Sequence, residues 1–204
     1  MFITFEGGDG AGKTTLIERV YQALKARGEN VMKTRAPGST AAGSVIRELL
    51  LHHEEPLCSQ AELLLYLADR AEHVSKIIKP ALEQNIIVLC DRFNDSTVAY
   101  QGAGRGLDPH FVCNLAHFAT QNLEPDLTLY LDLDPEVGLD RVKKAGMSKD
   151  KIESEKLEFH QKIRAAFHTI AKNEPTRFHV IDASESPDRV FQKAFAIITQ
   201  EKRC

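Results

Sequence analysis

Apolar runs of strand length recur at residues 2–6, 30–35, 86–91, 127–132 and 178–182, separated by longer stretches of helical period. Most of these runs lack a strict apolar–polar alternation, so they predict strands buried on both faces. The expected architecture is therefore α/β: five parallel strands in one sheet, flanked by helices in three layers, as a single unit over residues 1–204. Ligands of open α/β sheets sit beyond the carboxyl ends of the strands, which puts Glu6, Asp91 and Asp132 near the expected crevice. Helical periods at 60–79 and 109–121 predict two of the intervening helices. In the second, Phe111, Val112, Leu115 and Phe118 share a face that suits either core or a dimer surface.

Composition narrows the class. The 204 residues are 43% apolar and 27% charged with a net charge of −3, the profile of a soluble globular chain. It argues against a general nucleic-acid or membrane binder, so anionic ligands must be met by local clusters of Lys and Arg. Cys58, Cys90, Cys113 and Cys204 are scattered, with no metal-like or disulfide-like spacing, which fits a reducing cytoplasm. No leader-like segment and no membrane-length apolar stretch is read from the sequence. One segment stands apart: residues 141–158, "RVKKAGMSKDKIESEKLE", are dense in charge and poor in large apolar side chains. They read either as a solvated helix connection or as a mobile basic lid.

The stretch Gly7, Gly8, Asp9, Gly10, Ala11, Gly12, Lys13, Thr14, Thr15 follows the first strand and opens a helix, the context a phosphate-binding P-loop requires. Glycines let the backbone N–H groups wrap phosphate, and the helix N-terminus adds positive potential. Lys13 would neutralise β/γ oxygens and Thr14 would offer a hydroxyl to Mg2+. The loop indicates a nucleoside triphosphate, while the carboxylate of Asp9 inside it calls for a partner other than phosphate. The Asn-Lys-x-Asp tetrapeptide of guanine-specific switch proteins is missing from the sequence.

Further polar residues suit a second small ligand. Arg35 follows the second strand in "TRAPGST", where Pro37 and Gly38 enforce a turn. Asp91 and Arg92 follow the third strand, setting a carboxylate able to hold Mg2+ beside a cation able to hold an acceptor phosphate. Tyr66 and Arg70 are i, i+4 neighbours, a stacking ring beside a planar donor, as a nucleobase would need, although a buried Tyr with a snorkelling Arg is the plainer alternative. Thr97, Tyr100 and Gln101 also fall on one helical face.

Together "FEGGDGAGKTT", "TRAPGST", "LLLYLADRAEH", "DRFNDSTVAYQGAGRG" and "PDLTLYLDLDPEVGLDR" resemble bacterial thymidylate kinases, in order and over most of the chain. The resemblance implies a P-loop kinase fold with a short mobile lid at about 141–155, usually a homodimer. It also implies transfer of the γ-phosphoryl group of ATP to dTMP with Mg2+. It assigns Arg35 and Arg92 to the dTMP phosphate, Tyr66 to stacking on thymine, and Arg70 to its O4 edge. Thr97 and Gln101 would meet the base and Tyr100 the 2' position of the sugar. Asp91 resembles the magnesium-associated carboxylate, and Asp9 the acidic residue that reaches the 3'-hydroxyl of dTMP.

Two departures from the family pattern stand out. Ala36 and Ser39 replace a glutamate and a glycine in the loop after Arg35, and the lid is rich in lysine where arginine is usual: Arg141, Lys143, Lys144, Lys149 and Lys151. Some relatives carry an arginine within the P-loop, where this chain has Gly10. The catalytic cation should then come from the lid, with Arg141 the first candidate for an ATP contact. A related P-loop deoxynucleoside kinase is the alternative, and paired acceptor arginines favour a monophosphate.

Overall fold

The computed structural model describes residues 1–53, 55–145, 152 and 154–202. Its strands are β1 (Phe2–Gly7), β2 (Val31–Arg35), β3 (Ile87–Asp91), β4 (Leu127–Asp132) and β5 (Phe178–Asp182). All pair in parallel, in the order β2-β3-β1-β4-β5. The central strand β1 is buried at every position, as a strand covered on both sides must be.

Successive side chains of the strands feed two different cores. Ile3, Phe5, Leu89, Leu127 and Leu129 pack with Leu16, Val20 and Leu24 of α1 (Lys13–Ala26) and with Ala194 and Ile198 of α9 (Pro187–Glu201). On the other face, Phe2, Val88 and Cys90 pack with Phe93, Val74 and Ile78. Farther along that face Tyr130 and Phe178 meet Phe159, Ile163 and Phe167 of α8 (Leu157–Asn173). Helices α2 (Ala41–His52), α3 (Ser59–His73) and α4 (Lys79–Glu83) lie between β2 and β3, and α5 (Asn94–Thr97), α6 (Pro109–Thr120) and α7 (Pro135–Lys144) flank β4 in sequence.

Several helix starts are written locally. Asp108, Asp134 and Ser186 each accept a backbone N–H of the following first turn, and each precedes a proline at the first helical position. The helix expected over 60–79 is α3 prolonged through a π-helical turn, Val74–Ile78; a second π-helical stretch, Val98–Gly104, follows α5. After β3 the chain crosses β1 to reach β4, so the loop leaving β1 opens at the point where strand order reverses. Of the lid expected at about 141–155, residues 146–151 and 153, including Lys149 and Lys151, lie outside the described residues.

Candidate active site

The chain leaves β1 and turns through Gly10 (φ 71) and Gly12 (φ 90), left-handed conformations that glycine adopts at little cost. Gly12 caps α1, so the first amides of that helix have no intrahelical acceptor and are free for an anion. Lys13 folds back over the loop, its Nζ donating to Gly7 O at 3.0 Å and Gly8 O at 2.9 Å. Burial pulls its pKa down to about 8, aided by Arg92 and opposed by Asp91, Asp9 and Glu6. At Gly10 a Cβ would stand 2.2 Å from Gly138 O, and at Gly138 a Cβ would stand 2.3 Å from Asp9 O. The loop and α7 thus touch backbone to backbone, and no side chain fits at position 10.

Arg92 sits at the end of β3 in a left-handed conformation (φ 68), with its N–H donating to Phe5 O at 3.0 Å. Its guanidinium donates to Asp9 Oδ1 at 3.0 Å and to Ser96 Oγ at 3.3 Å, and lies 4.9 Å over the Tyr100 ring. Asp9 therefore has its cationic partner, while its Oδ2 is buried without one. Arg35 pairs in register with Asp91, so the two open at the same sheet edge. The turn after Arg35 is closed by Ser39, whose hydroxyl donates to Arg35 O at 2.6 Å and accepts Arg35 N–H at 3.0 Å. Ser39 also accepts from Thr34 Oγ1, which meets the buried His73 Nε2 at 2.6 Å. Of the two loop residues that depart from the family pattern, Ser39 thus supplies contacts of its own, and Ala36 is buried apolar surface.

Arg70 is the most telling side chain. It is 2% exposed, its guanidinium lies 4.8 Å over the Phe93 ring, and Nε and Nη1 have no hydrogen-bond partner. Burial lowers its pKa. Asp69 and Glu6 offset part of the cost of that burial, but buried donors without partners remain costly unless a ligand supplies the missing acceptor.

These elements enclose a cleft of about 570 Å3. From the P-loop it is lined by Asp9, Gly10, Gly12, Lys13, Thr14 and Thr15, and from the sheet edge by Arg35, Asp91 and Arg92. Tyr66 and Arg70 of α3 line it too, with Thr97, Tyr100 and Gln101 beyond β3 and Arg141 of α7. Arg141 Nη1 lies 3.4 Å from Gly10 O and 3.3 Å from Ala183 O. Gly7, Gly8 and Ala11 are not in the lining: the two glycines give their carbonyls to Lys13, and Ala11 is buried in the core.

Two strand-end carboxylates expected at the crevice do not line it. Glu6 is wholly buried and accepts from Phe93 N at 2.7 Å and from Ser96 Oγ; burial, reinforced by Asp95, pushes its pKa to about 7. Asp132 is turned to α8, bound by Arg164 at 2.8 and 3.0 Å and by His168 at 3.2 Å. The sequence reading missed Arg47 of α2, which lines the cleft and donates to Pro37 O at 2.9 Å. It also missed Glu62 and Arg105. Glu62 accepts Gln101 Nε2 at 2.9 Å and is gripped by Arg105 through Nε and Nη2 at 3.0–3.2 Å. The signal was present, since Glu62, Tyr66 and Arg70 recur at intervals of four on α3.

A family model described as thymidylate kinase matches residues 5–194. Thymidylate kinase of Protochlamydia amoebophila is 47% identical over 208 aligned residues, covering 98% of this chain and 92% of the relative. That of Solidesulfovibrio magneticus is 47% identical, covering 97% and 98%. The crystal structure of thymidylate kinase from Ehrlichia chaffeensis superposes with a TM-score of 0.78 at 38% identity, covering 97% and 98%.

Proposed function

The chain belongs to the thymidylate kinase family and is an ATP-dependent nucleoside monophosphate kinase; from that premise we propose how its cleft moves the γ-phosphoryl group of ATP onto dTMP, giving dTDP and ADP. The observation that carries the reading is Arg70: a buried guanidinium with unpaired donors beside Tyr66, in the same cleft as a P-loop. Tyr66 stacks on thymine and Arg70 donates to its O4, while Thr97 and Gln101 meet the base. Tyr100 stands at the 2' position, where a ribose hydroxyl would crowd it. Arg35 and Arg92 hold the acceptor phosphate, and Asp9 takes the 3'-hydroxyl.

Phosphoryl transfer asks the protein for alignment and charge stabilisation more than for covalent chemistry. Lys13 and the amides opening α1 hold the donor phosphates, with Arg141 reaching them from α7. No general base is required, because the acceptor phosphate, with a second pKa near 6, is already largely dianionic at neutral pH. The residues present fit Mg2+: Thr14 offers a hydroxyl and Asp91 a carboxylate whose Oδ1 is buried without a partner. Among the described residues no group of three or more His, Cys, Asp or Glu could hold a metal, which suits an ion bound mainly by phosphate and water oxygens. When bound, it supplies neutralisation of the phosphate charge.

The assay that tests the reading couples ADP release to dTMP, dUMP, dCMP, dGMP and thymidine in turn. Turnover should be highest with dTMP, and turnover confined to thymidine would replace the reading with a deoxynucleoside kinase. Leu64, Phe111 and Phe118 are 60%, 58% and 83% exposed on the packed pair α3 and α6, and large apolar side chains left open on neighbouring helices support a homodimer. Sedimentation should find a dimer that Phe118→Glu dissociates. No described helix is long and apolar enough to cross a membrane, and we assign the enzyme to the cytoplasm.

A further inference from the structure

The side chain of Gln101 is 2% exposed, lines the cleft, and donates through Nε2 to Glu62 Oε1 at 2.9 Å. An amide can be turned either way, but only one orientation is chemically possible here. A carboxylate accepts and never donates, so the end of Gln101 that faces Glu62 must be the NH2 group. Turning the amide over would press its carbonyl oxygen against a carboxylate oxygen at the same short distance. Glu62 is itself held by the fork of Arg105, whose third nitrogen, Nη1, reaches Glu155 at 2.5 Å. The Arg105 guanidinium also lies 4.8 Å over the Phe159 ring, so neither the carboxylate nor its clamp is free to rotate. The remaining polar atom of Gln101, its carbonyl oxygen, has no hydrogen bond among the described residues.

We propose that Glu62, locked by Arg105, is a specificity-determining positioning residue: it fixes Gln101 as a hydrogen-bond acceptor in the cleft, so that the enzyme selects a pyrimidine carrying a hydrogen on N3. The proposal deepens the dTMP kinase reading and rests on it. Arg70 offers only donors, and Gln101, with its NH2 group held at Glu62, turns its carbonyl oxygen to the base as acceptor; this donor–acceptor order matches O4 and N3–H of thymine or uracil. Cytosine presents the reverse, an amino group and a bare N3. Rejection then comes from buried groups left facing their own kind, which discriminates far more strongly than an added or missing methyl group.

The cleanest probe changes N3 while sparing the Arg70 contact. The 5'-monophosphate of 5-methyl-2'-deoxyisocytidine keeps the 4-carbonyl and the 5-methyl group, but its N3 is a lone pair and its 2-oxygen is an amino group. The measured quantity is the ratio of kcat/KM for dTMP to that for this analogue, in wild type, Glu62→Gln and Glu62→Asp. Glutamine at 62 can donate as well as accept, which frees Gln101 to turn over, so the ratio should fall by about tenfold or more. Aspartate remains an acceptor only and should keep the ratio within about threefold of wild type even if both rates drop. A purely structural role for Glu62 slows both substrates alike and leaves the ratio unmoved, and that result overturns the proposal. Should Glu62→Gln fail to fold, the double variant Glu62→Gln with Arg105→Gln, which removes the buried cation together with its partner, takes its place: collapse of the ratio supports the assignment, and a ratio within about threefold of wild type overturns it. Failure of the wild-type enzyme to phosphorylate dTMP would instead remove the kinase reading itself.

Discussion

Replacing Gly138 by alanine tests whether the P-loop and α7 are held as one body. Inside a helix the exchange ordinarily stabilises, by about 1 kcal/mol, because alanine loses less backbone freedom on folding. Here the new Cβ would stand 2.3 Å from Asp9 O, against the 3.4 Å or more of ordinary contacts. Relief requires α7 to back away from the loop by roughly 1 Å, and overpacking of this kind costs about 1–3 kcal/mol. The net expectation is a loss of stability of about 0–2 kcal/mol, opposite in sign to the propensity effect. Activity should suffer more than stability. Arg141 rides on α7 at 3.4 Å from Gly10 O, and misplacing a charge-stabilising group by about 1 Å can cost roughly 100-fold in rate. Urea unfolding gives the first quantity and steady-state kinetics with varied ATP the second. A Gly138→Ala enzyme that is more stable by about 1 kcal/mol and unchanged in kcat/KM for ATP would refute the coupling.

Arg70→Met should lower kcat/KM for dTMP by about 100-fold or more while leaving the urea midpoint unchanged or higher, since it deletes a buried unpaired charge; a marked loss of stability would contradict that account. Lys13 gives a pH dependence with a definite sign. Its pKa in the free enzyme is about 8, below the usual lysine value, and polyphosphate favours the charged form, so ATP binding at pH 8 should take up about half a proton. Affinity should then weaken as pH rises through 8, and calorimetry in buffers of different ionisation enthalpy would disprove this by finding no proton uptake. Asp9→Asn releases Arg92 from its ion pair and should reduce kcat/KM for dTMP more than for ATP; equal losses, or none, would rule out the acceptor-side role.

The sheet was legible because its inner strands β1, β3 and β4 are apolar runs buried on both faces, while the edge strands β2 and β5 are only half buried; β4 and β5 begin and end where the hydropathy does. The start of α6 was equally plain, a polar cap followed by proline, and the starts of α7 and α9 carry the same unread signal. What escaped were pairings across long sequence separations. Glu6, Asp91 and Asp132 look alike as strand-end acids, yet one anchors Phe93 and Ser96, one faces the cleft, and one binds Arg164 on a helix that the strand pattern does not orient. The partnership of Glu62 with Gln101 and Arg105 is of the same kind, as is that of Asp9 with Arg92. Gly138 carries no local signal, because its meaning lies in the backbone of a loop more than a hundred residues earlier.

The carboxylate in the phosphate cradle follows from the charge around it. Six cationic side chains and two carboxylates, Asp9 and Asp91, line the cleft, a local excess of four positive charges in a chain whose net charge is −3. Magnesium-bound ATP and a phosphomonoester together bring about −4. Asp9 therefore does not leave the cleft short of positive charge for its ligands. It spends one charge to hold the Arg92 fork at 3.0 Å, in the direction also fixed by Ser96 and the Tyr100 ring. A guanidinium aimed before the acceptor arrives loses less freedom on binding than one that must be gathered from solvent, and alignment is the larger share of what phosphoryl transfer requires. The same geometry accounts for Gly10: with Gly138 pressed against it, the loop cannot carry an arginine of its own, and on the proposed reading Arg141 of α7 is the cation that joins Lys13 on the donor side.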